Sequence, residues 1–193
     1  MECNRNEDEG KLGRTPTISR DRLLNLAEEI VRNGGGGALT IGALAQAAGI
    51  SKGGVQYTFA SKDALVRGLI DRWTSQFDAM LGDHAAEDPV SFILRYIAAT
   101  RVSQQAINAK MAALLVSYLE DPANLQETRD WYHGIVARLS GDTPSAQAAR
   151  VAFLAVEGLF LMRINGIDAD GSWTSLLDDV EAVLTLLAKS ASD

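Results

Sequence analysis

The chain has 193 residues, 47% of them hydrophobic and only four of them proline, a composition that suits a mostly helical globular protein. Its single cysteine, Cys3, excludes an intramolecular disulfide. The longest apolar run, Val151–Met162, is interrupted by Glu157 and is too short to span a bilayer, and no secretion signal opens the sequence, so we expect a cytoplasmic protein without a membrane partner.

The formal net charge of −7 is unevenly distributed along the chain. Residues 11–72 carry nine basic and five acidic side chains, whereas residues 73–193 carry eight basic and sixteen acidic ones. Basic surface attracts a phosphate backbone and acidic surface repels it. The asymmetry indicates one end that faces nucleic acid and a second end with another task.

The first elements in chain order are a tail and a helix. Residues 1–18 are polar and are predicted to form a disordered tail. Ser19 can then cap a helix that buries a leucine-rich face, and the run Gly34–Gly37 ends that helix.

The stretch Thr40–Asp63 predicts two short helices joined by a tight turn, followed by the start of a third helix. Thr40 can cap the first of these helices, Gly49 can end it in the left-handed conformation, and Ser51 can cap the second. In that second helix Val55 and Phe59 are four residues apart and face inward. Its other face carries residues that hydrogen-bond or permit close approach: Lys52, Gly53, Gln56 and Tyr57. This is the pattern of a helix-turn-helix whose second helix enters a DNA groove.

The rest of the chain is also helical by its apolar spacing. A long helix is predicted from about Lys62 to Leu81, further helices follow Asp88-Pro89 and Asp121-Pro122, Ile107–Leu119 continues helically, and two apolar helices close the chain. No alternating β pattern is present. We therefore predict an all-α fold of about nine helices: a helix-turn-helix domain over residues 19–65 and a helical bundle over residues 66–193.

The helix-turn-helix segment resembles the N-terminal DNA-binding domain of the TetR (tetracycline-repressor-type) family of transcriptional regulators. The resemblance is carried by Thr40-Ile41, Leu44-Ala45, Ala48-Gly49-Ile50-Ser51-Lys52-Gly53, Phe59 and Ser61-Lys62-Asp63-Ala64-Leu65. It implies a homodimer whose C-terminal domain binds a small molecule and thereby controls affinity for operator DNA. Gln56 stands where the family often has an aromatic residue, and Thr58 where it often has histidine, so the base preference is expected to differ.

The resemblance and the residue chemistry together indicate a set of expected DNA contacts. The resemblance implies phosphate contacts from Thr40, Ser51, Lys52, Tyr57, Thr58 and Lys62, with Gly53 allowing close approach. Gln56 can pair with adenine through two hydrogen bonds, and the methyl group of Thr58 can meet a thymine methyl.

The acidic half must supply dimerisation and a ligand pocket. On the helix from Ala146, a stripe of mostly small side chains permits close approach across a two-fold axis, and the last helix is apolar on more than one face. The predicted dimer interface is Val151, Ala155, Gly158, Met162, Leu176, Val180, Val183 and Leu187. The predicted pocket lining is Trp73, Phe77, Tyr96, Met111, Tyr118, Trp131, Phe153, Glu157 and Phe160.

Glu157 lies between two phenylalanines in that helix and has two interpretations. It can hold a cationic, lipophilic ligand by charge and cation–π contact, or it can form an internal ion pair with Arg101, Arg150 or Arg163. The expected effector is therefore hydrophobic, with a cationic one as the sharper alternative.

These features predict a repressor that a small hydrophobic molecule releases from a palindromic operator. The alternative is a dimeric DNA-binding protein of architectural or activator type without an effector. An enzyme is not expected, because His84 and His133 stand alone without metal-ligand spacing or a nucleophile–base pair, and no cofactor or metal is predicted.

Overall fold

The computed structural model describes residues 18–82, 87–106 and 108–190, and within these ranges it contains nine α-helices and no strand. The helices are α1 (Arg20–Gly34), α2 (Ile41–Ala48), α3 (Lys52–Thr58), α4 (Lys62–Leu81), α5 (Pro89–Ala106), α6 (Ala109–Leu119), α7 (Pro122–Arg138), α8 (Pro144–Ile164) and α9 (Leu176–Ser190). One turn of 3-10 helix, Ser172–Ser175, precedes α9. The predicted all-α fold is confirmed, and residues 1–17 of the predicted tail lie outside the described residues.

Local side chains set the starts of the first four helices. The hydroxyl groups of Ser19, Thr40, Ser51 and Ser61 each accept the backbone N–H three residues later, at 3.0 to 3.2 Å. Gly49 ends α2 in the left-handed conformation with φ of 65°, where a Cβ would be strained. The capping pattern predicted for the helix-turn-helix is therefore confirmed.

The first hydrophobic core joins α1 through α4. Leu24 of α1, Leu44 of α2, Val55 of α3 and Leu65 of α4 are fully buried in it. Its buried side chains continue along α4 as far as Leu69, and the half-buried Trp73 packs against them. Helix α4 therefore runs across the predicted domain boundary at residues 65 and 66 without interruption.

Helix α6 also belongs to this first core, although it comes from the second half of the chain. Met111 and Leu114 are buried there. Asn108 caps α6 by accepting the N–H groups of Lys110 and Met111 at 3.1 and 3.0 Å, and its amide donates to the carbonyl of Arg32 at 3.0 Å. Lys110 donates to the carbonyl of Asn33. Two of the last carbonyls of α1, those of Arg32 and Asn33, are therefore satisfied by the start of α6.

A second link joins α4 to α7. Arg67 donates to both carboxylate oxygens of Glu127, at 2.7 and 2.8 Å, and to the amide oxygen of Asn124 at 2.7 Å. Asn124 in turn donates to the carbonyl of Tyr118 at 3.0 Å. The planar guanidinium thereby holds the α6–α7 corner against the helix that follows the helix-turn-helix.

The second hydrophobic core is formed by α5, α7, α8 and α9, with Leu81 from the end of α4. Helix α8 is long and apolar enough by length and composition to cross a membrane, a property it shares with core helices of soluble proteins. It packs against α5, α6 and α9 and buries Ala149, Phe153 and Val156.

Candidate functional site

Helix α3, the predicted recognition helix, has one buried face and one exposed face. Val55 and Phe59 are 0% and 2% exposed and hold the helix on the first core. Gln56 is exposed, Tyr57 is 91% exposed, and Thr58 is half-buried at the end of the helix. The ring of Tyr57 is therefore not used in the packing of the protein and is free to contact a binding partner.

Lys52 lies over the start of α2. A Cβ built on Gly42 would lie 3.2 Å from Cε and 3.7 Å from Nζ of Lys52, and 3.8 Å from the hydroxyl of Thr40. The ammonium and the hydroxyl therefore flank the first turn of α2, where free N–H groups and the helix dipole also favour an anion. This corner has the chemistry that a phosphate requires.

Two adjacent glycines at the start of α3 have different surroundings. A Cβ on Gly53 would meet only the hydroxyl of Ser51, at 3.8 Å, whereas a Cβ on Gly54 would meet Cδ1 of Ile50 at 3.2 Å. The fold itself does not require glycine at position 53. The absence of a side chain there leaves the outer surface of the helix flat.

Lys62, the first residue of α4, is a second exposed lysine of the helix-turn-helix domain. It is exposed, and its ammonium donates to the carbonyl of Gly36, in the loop between α1 and α2, at 3.1 Å. An ammonium has three N–H donors, so this contact leaves others for a phosphate.

Five aromatic rings form a closed circuit in the second core. The ring centroids lie 5.2 Å apart for Phe77–Tyr96, 5.4 Å for Tyr96–Phe153, 6.3 Å for Phe153–Tyr132, 5.0 Å for Tyr132–Trp131 and 6.0 Å for Trp131–Phe77. All five contacts are edge-to-face. We call these five residues the aromatic circuit; they come from α4, α5, α7 and α8.

Glu157 of α8 is bound to this circuit. Its two carboxylate oxygens accept hydrogen bonds from the hydroxyl groups of Tyr96, at 2.6 Å, and Tyr132, at 2.5 Å. Burial raises the pKa of the Glu157 carboxyl, and the two hydrogen bonds oppose that rise. Burial, with Glu157 nearby, also raises the pKa of each tyrosine, so both hydroxyls stay protonated and donate.

The three arginines considered as partners of Glu157 bind elsewhere. Arg150 donates to the carbonyls of Leu139 and Gly141, and Arg163 to those of Asp168 and Ala169. Arg101 pairs with Asp178 and Glu181 on α9. The internal ion pair, one of the two interpretations of Glu157, is therefore not formed with these arginines, and two neutral tyrosine hydroxyls bind the carboxylate instead.

The outer face of α8 and α9 is apolar and exposed. Its most exposed members are Val151, Leu154, Leu161, Met162, Leu176, Val183, Leu186 and Leu187, with exposed fractions between 40% and 67%. Ala155 is exposed on the same face, and a Cβ on Gly158 would have no atom of the described residues within 4 Å. Val180 differs from the predicted set because it is half-buried and packs on the second core. Exposed apolar side chains that share one face in this way are typical of protein–protein interaction surfaces.

Two family models match this chain. One described as bacterial regulatory proteins of the tetR family matches residues 23–69, which include the recognition helix, and one described as a tetracyclin repressor-like C-terminal domain matches residues 90–185. The chain belongs to the TetR family. It is therefore a transcriptional regulator with a helix-turn-helix DNA-binding domain, and repressors and homodimers are typical of this family.

Solved TetR-family structures share the fold. A transcriptional regulator from Rhodococcus sp. Rha1 has a TM-score of 0.65 at 20% identity, covering 91% of this chain and 99% of that one. A variant of TetR from Acinetobacter baumannii AYE, in complex with minocycline, has a TM-score of 0.54 at 15% identity, covering 91% and 99%. GusR of Salmonella enterica has a TM-score of 0.54 at 18% identity, covering 92% and 96%. No curated protein is significantly similar in sequence.

Four predicted pocket residues of this TetR-family chain lie away from the aromatic circuit. Trp73 packs on the first core and donates to Glu28 at 3.4 Å, and Met111 is buried in that same core. Tyr118 lines a cleft of about 850 Å³ between the start of α4 and α6. Phe160 is half-buried one turn beyond Glu157, and among the described residues no ring contact joins it to the circuit.

Tyr132 is the functional candidate that sequence reasoning missed. Helical spacing puts it beside Trp131 on one helix but does not indicate that it belongs to the pocket. Tyr132 could have been found from the requirement that a buried carboxylate has hydrogen-bond donors. Tyrosine hydroxyls can satisfy that requirement as well as arginine can. His133, its neighbour, is exposed, and His84 lies outside the described residues.

Proposed function

We propose that this TetR-family regulator is a cytoplasmic repressor that binds a palindromic operator as a homodimer and is released by a small hydrophobic molecule. The observation that carries the DNA part is the outer face of α3 beside the Lys52–Thr40 corner. It combines an exposed reading surface with an anion-binding position on an otherwise acidic protein.

The proposed DNA contacts divide by chemistry. Thr40, Ser51, Lys52, Tyr57, Thr58 and Lys62 contact phosphates, and these contacts position the helix without reading sequence. Gln56 reads adenine in the major groove, and the Thr58 methyl contacts thymine. Gly53 lets the helix backbone approach the duplex.

The proposed dimer uses the outer face of α8 and α9. Two copies related by a two-fold axis would bury the same apolar side chains against each other, which a monomer leaves in water. Small residues at Ala155 and Gly158 allow α8 to approach its copy closely. The recognition helices would then lie about one helical turn of DNA apart, roughly 34–36 Å.

The proposed effector site is the region of the aromatic circuit and Glu157. Large rings with a few fixed polar groups are typical of small-molecule sites. The site lies between α4, which continues from the DNA-binding domain, and the dimer-forming helix α8. A ligand there can therefore shift α4 relative to the dimer axis, and by linkage DNA must weaken the ligand as much as the ligand weakens DNA.

A genomic pull-down followed by a release screen tests this function. The full chain should enrich a palindromic site, bind it as a dimer, and lose it in the presence of hydrophobic compounds that also raise its thermal stability. Enrichment of no site would contradict DNA recognition. Operator binding that no member of a broad library reverses would favour the architectural alternative.

A further inference from the structure

The negative charge of Glu157 has no cationic partner among the described residues. Each carboxylate oxygen is occupied by a tyrosine hydroxyl, a neutral donor that stabilises the anion without cancelling its charge. Arg150 and Arg163 of α8 donate to backbone carbonyls, and Arg101 of α5 pairs with acids of α9. A largely buried carboxylate of this kind gains from any cation that can reach it.

The aromatic circuit supplies the other half of a cation site. In each of the five edge-to-face contacts the edge of one ring meets the face of another, and ring faces carry negative potential that attracts cations. Tyr96 and Phe153 are 3% and 5% exposed and form the floor, whereas Phe77, Trp131 and Tyr132 are half-buried. The circuit is therefore closed on the side of α5 and α8 and partly exposed to solvent on the side of α4 and α7.

The partly exposed side is acidic as well. The indole N–H of Trp131 donates to the carboxylate of Asp78 at 2.9 Å, and Asp78 is exposed at this rim. An entering cation would thus meet one carboxylate at the surface and a second one at the floor. An anionic ligand would be repelled by both.

We propose that the aromatic circuit binds a lipophilic organic cation, with its positive centre against Glu157 and its apolar groups among the five rings. This rests on the proposed function, because it names the chemical class of the effector of the same site. In the absence of such a ligand a proton is the available counter-charge, and burial raises the pKa of Glu157 in the direction that favours it. A neutral ligand would fill the rings but leave the carboxylate unpaired.

Probes of similar shape and different charge test the proposal on the full chain. We would use tetraphenylphosphonium as the cation, tetraphenylborate as the anion and triphenylphosphine oxide as the neutral compound, with affinities from calorimetry and from tryptophan fluorescence. We expect the cation to bind at least tenfold more tightly than the other two. Equal or tighter binding of the neutral compound would overturn the proposal.

Variants separate the charge of Glu157 from its structural role. Glu157→Gln should weaken cation binding at least tenfold and change binding of the neutral probe less than twofold. The matched control is Glu120→Gln, an exposed acid on which both affinities should stay at the parental value. Unchanged cation affinity in Glu157→Gln would refute the assignment.

The tyrosines provide a second test that does not depend on the folding of Glu157→Gln. Tyr132→Phe keeps the ring and the carboxylate charge but removes one hydroxyl donor, so cation affinity should be retained or increased. If Glu157 only anchored the tyrosines, Tyr132→Phe would weaken the cation as much as Glu157→Gln does. Failure of the ligand response as a whole looks different, because then no compound of any charge releases operator DNA.

Discussion

Replacing Gly53 by alanine should change the stability of the protein and its affinity for operator DNA in opposite directions. In the free protein the new methyl group would lie 3.8 Å from the hydroxyl of Ser51, an ordinary contact, and would meet nothing closer among the described residues. Alanine is favoured over glycine within a helix by up to about 1 kcal/mol. Because position 53 is in the first turn, we expect about half of that, or a rise of roughly 1–2 °C in Tm for a chain of this size.

Operator binding should change in the opposite direction. An added methyl group in a close contact typically costs about 1–3 kcal/mol, and both recognition helices of a dimer carry it. The combined cost of about 2–6 kcal/mol corresponds to an affinity reduced roughly 30-fold or more. Fluorescence anisotropy with an operator duplex measures this reduction, and differential scanning calorimetry measures the stability.

The neighbouring glycine is the matched control. The Cβ of Gly54→Ala points inward to Ile50, so this variant should alter stability without weakening the operator complex. Parental operator affinity in Gly53→Ala would refute the close approach. So would an equally weakened complex in Gly54→Ala, because the effect would then come from the helix itself.

Three further outcomes are expected. Lys52→Ala and Lys62→Ala should weaken binding to all DNA sequences and lower the salt slope by about one unit for each phosphate that the ammonium no longer neutralises, measured by anisotropy between low and high salt. Gly158→Leu should leave the monomer fold intact, since its Cβ has no neighbour among the described residues within 4 Å, yet shift the dimer to monomer or aggregate in light scattering. Glu157→Gln should become more stable relative to the parent as pH rises. Burial raises the pKa of Glu157 in the folded state, so the ionised carboxylate lowers the stability of the parent at high pH, whereas the variant has no group to ionise.

Each of these has a clear contradicting result. A salt slope equal to that of the parent would remove the lysine from the set of phosphate contacts. An unchanged dimer in Gly158→Leu would move the interface to another surface. The free energies of unfolding of the parent and of Glu157→Gln are compared in urea at pH 4.5 and pH 7.5. If the parent is the more stabilised of the two at the higher pH, the tyrosine hydrogen bonds outweigh burial in setting the pKa of Glu157.

The helix-turn-helix was predictable because its determinants are local. A capping hydroxyl and the N–H it accepts are three residues apart, and the left-handed end of α2 depends on Gly49 alone. The inward direction of Val55 and Phe59 follows from helical spacing. Such features need no knowledge of how distant segments pack.

The effector region was only partly predictable because it depends on long-range packing. The large rings of Trp73 and Phe77 are one turn apart on the same helix, yet one joins the first core and the other joins the aromatic circuit. Met111 lies in the first core, away from the aromatic circuit, for a related reason. Apolar spacing predicts a helix that continues through residue 107, whereas Asn108 starts a new one that turns back onto α1.

The attachment of α6 to α1 affects how such regulators can be recombined. A hybrid that takes its DNA-reading segment from this chain and ends after Leu81 would lack Met111 and Leu114, which fill the first core. It would also lack the side chains that close the end of α1. A working exchange of specificity must therefore transplant two separate stretches of sequence, so the unit that reads DNA is contiguous in space but not along the gene.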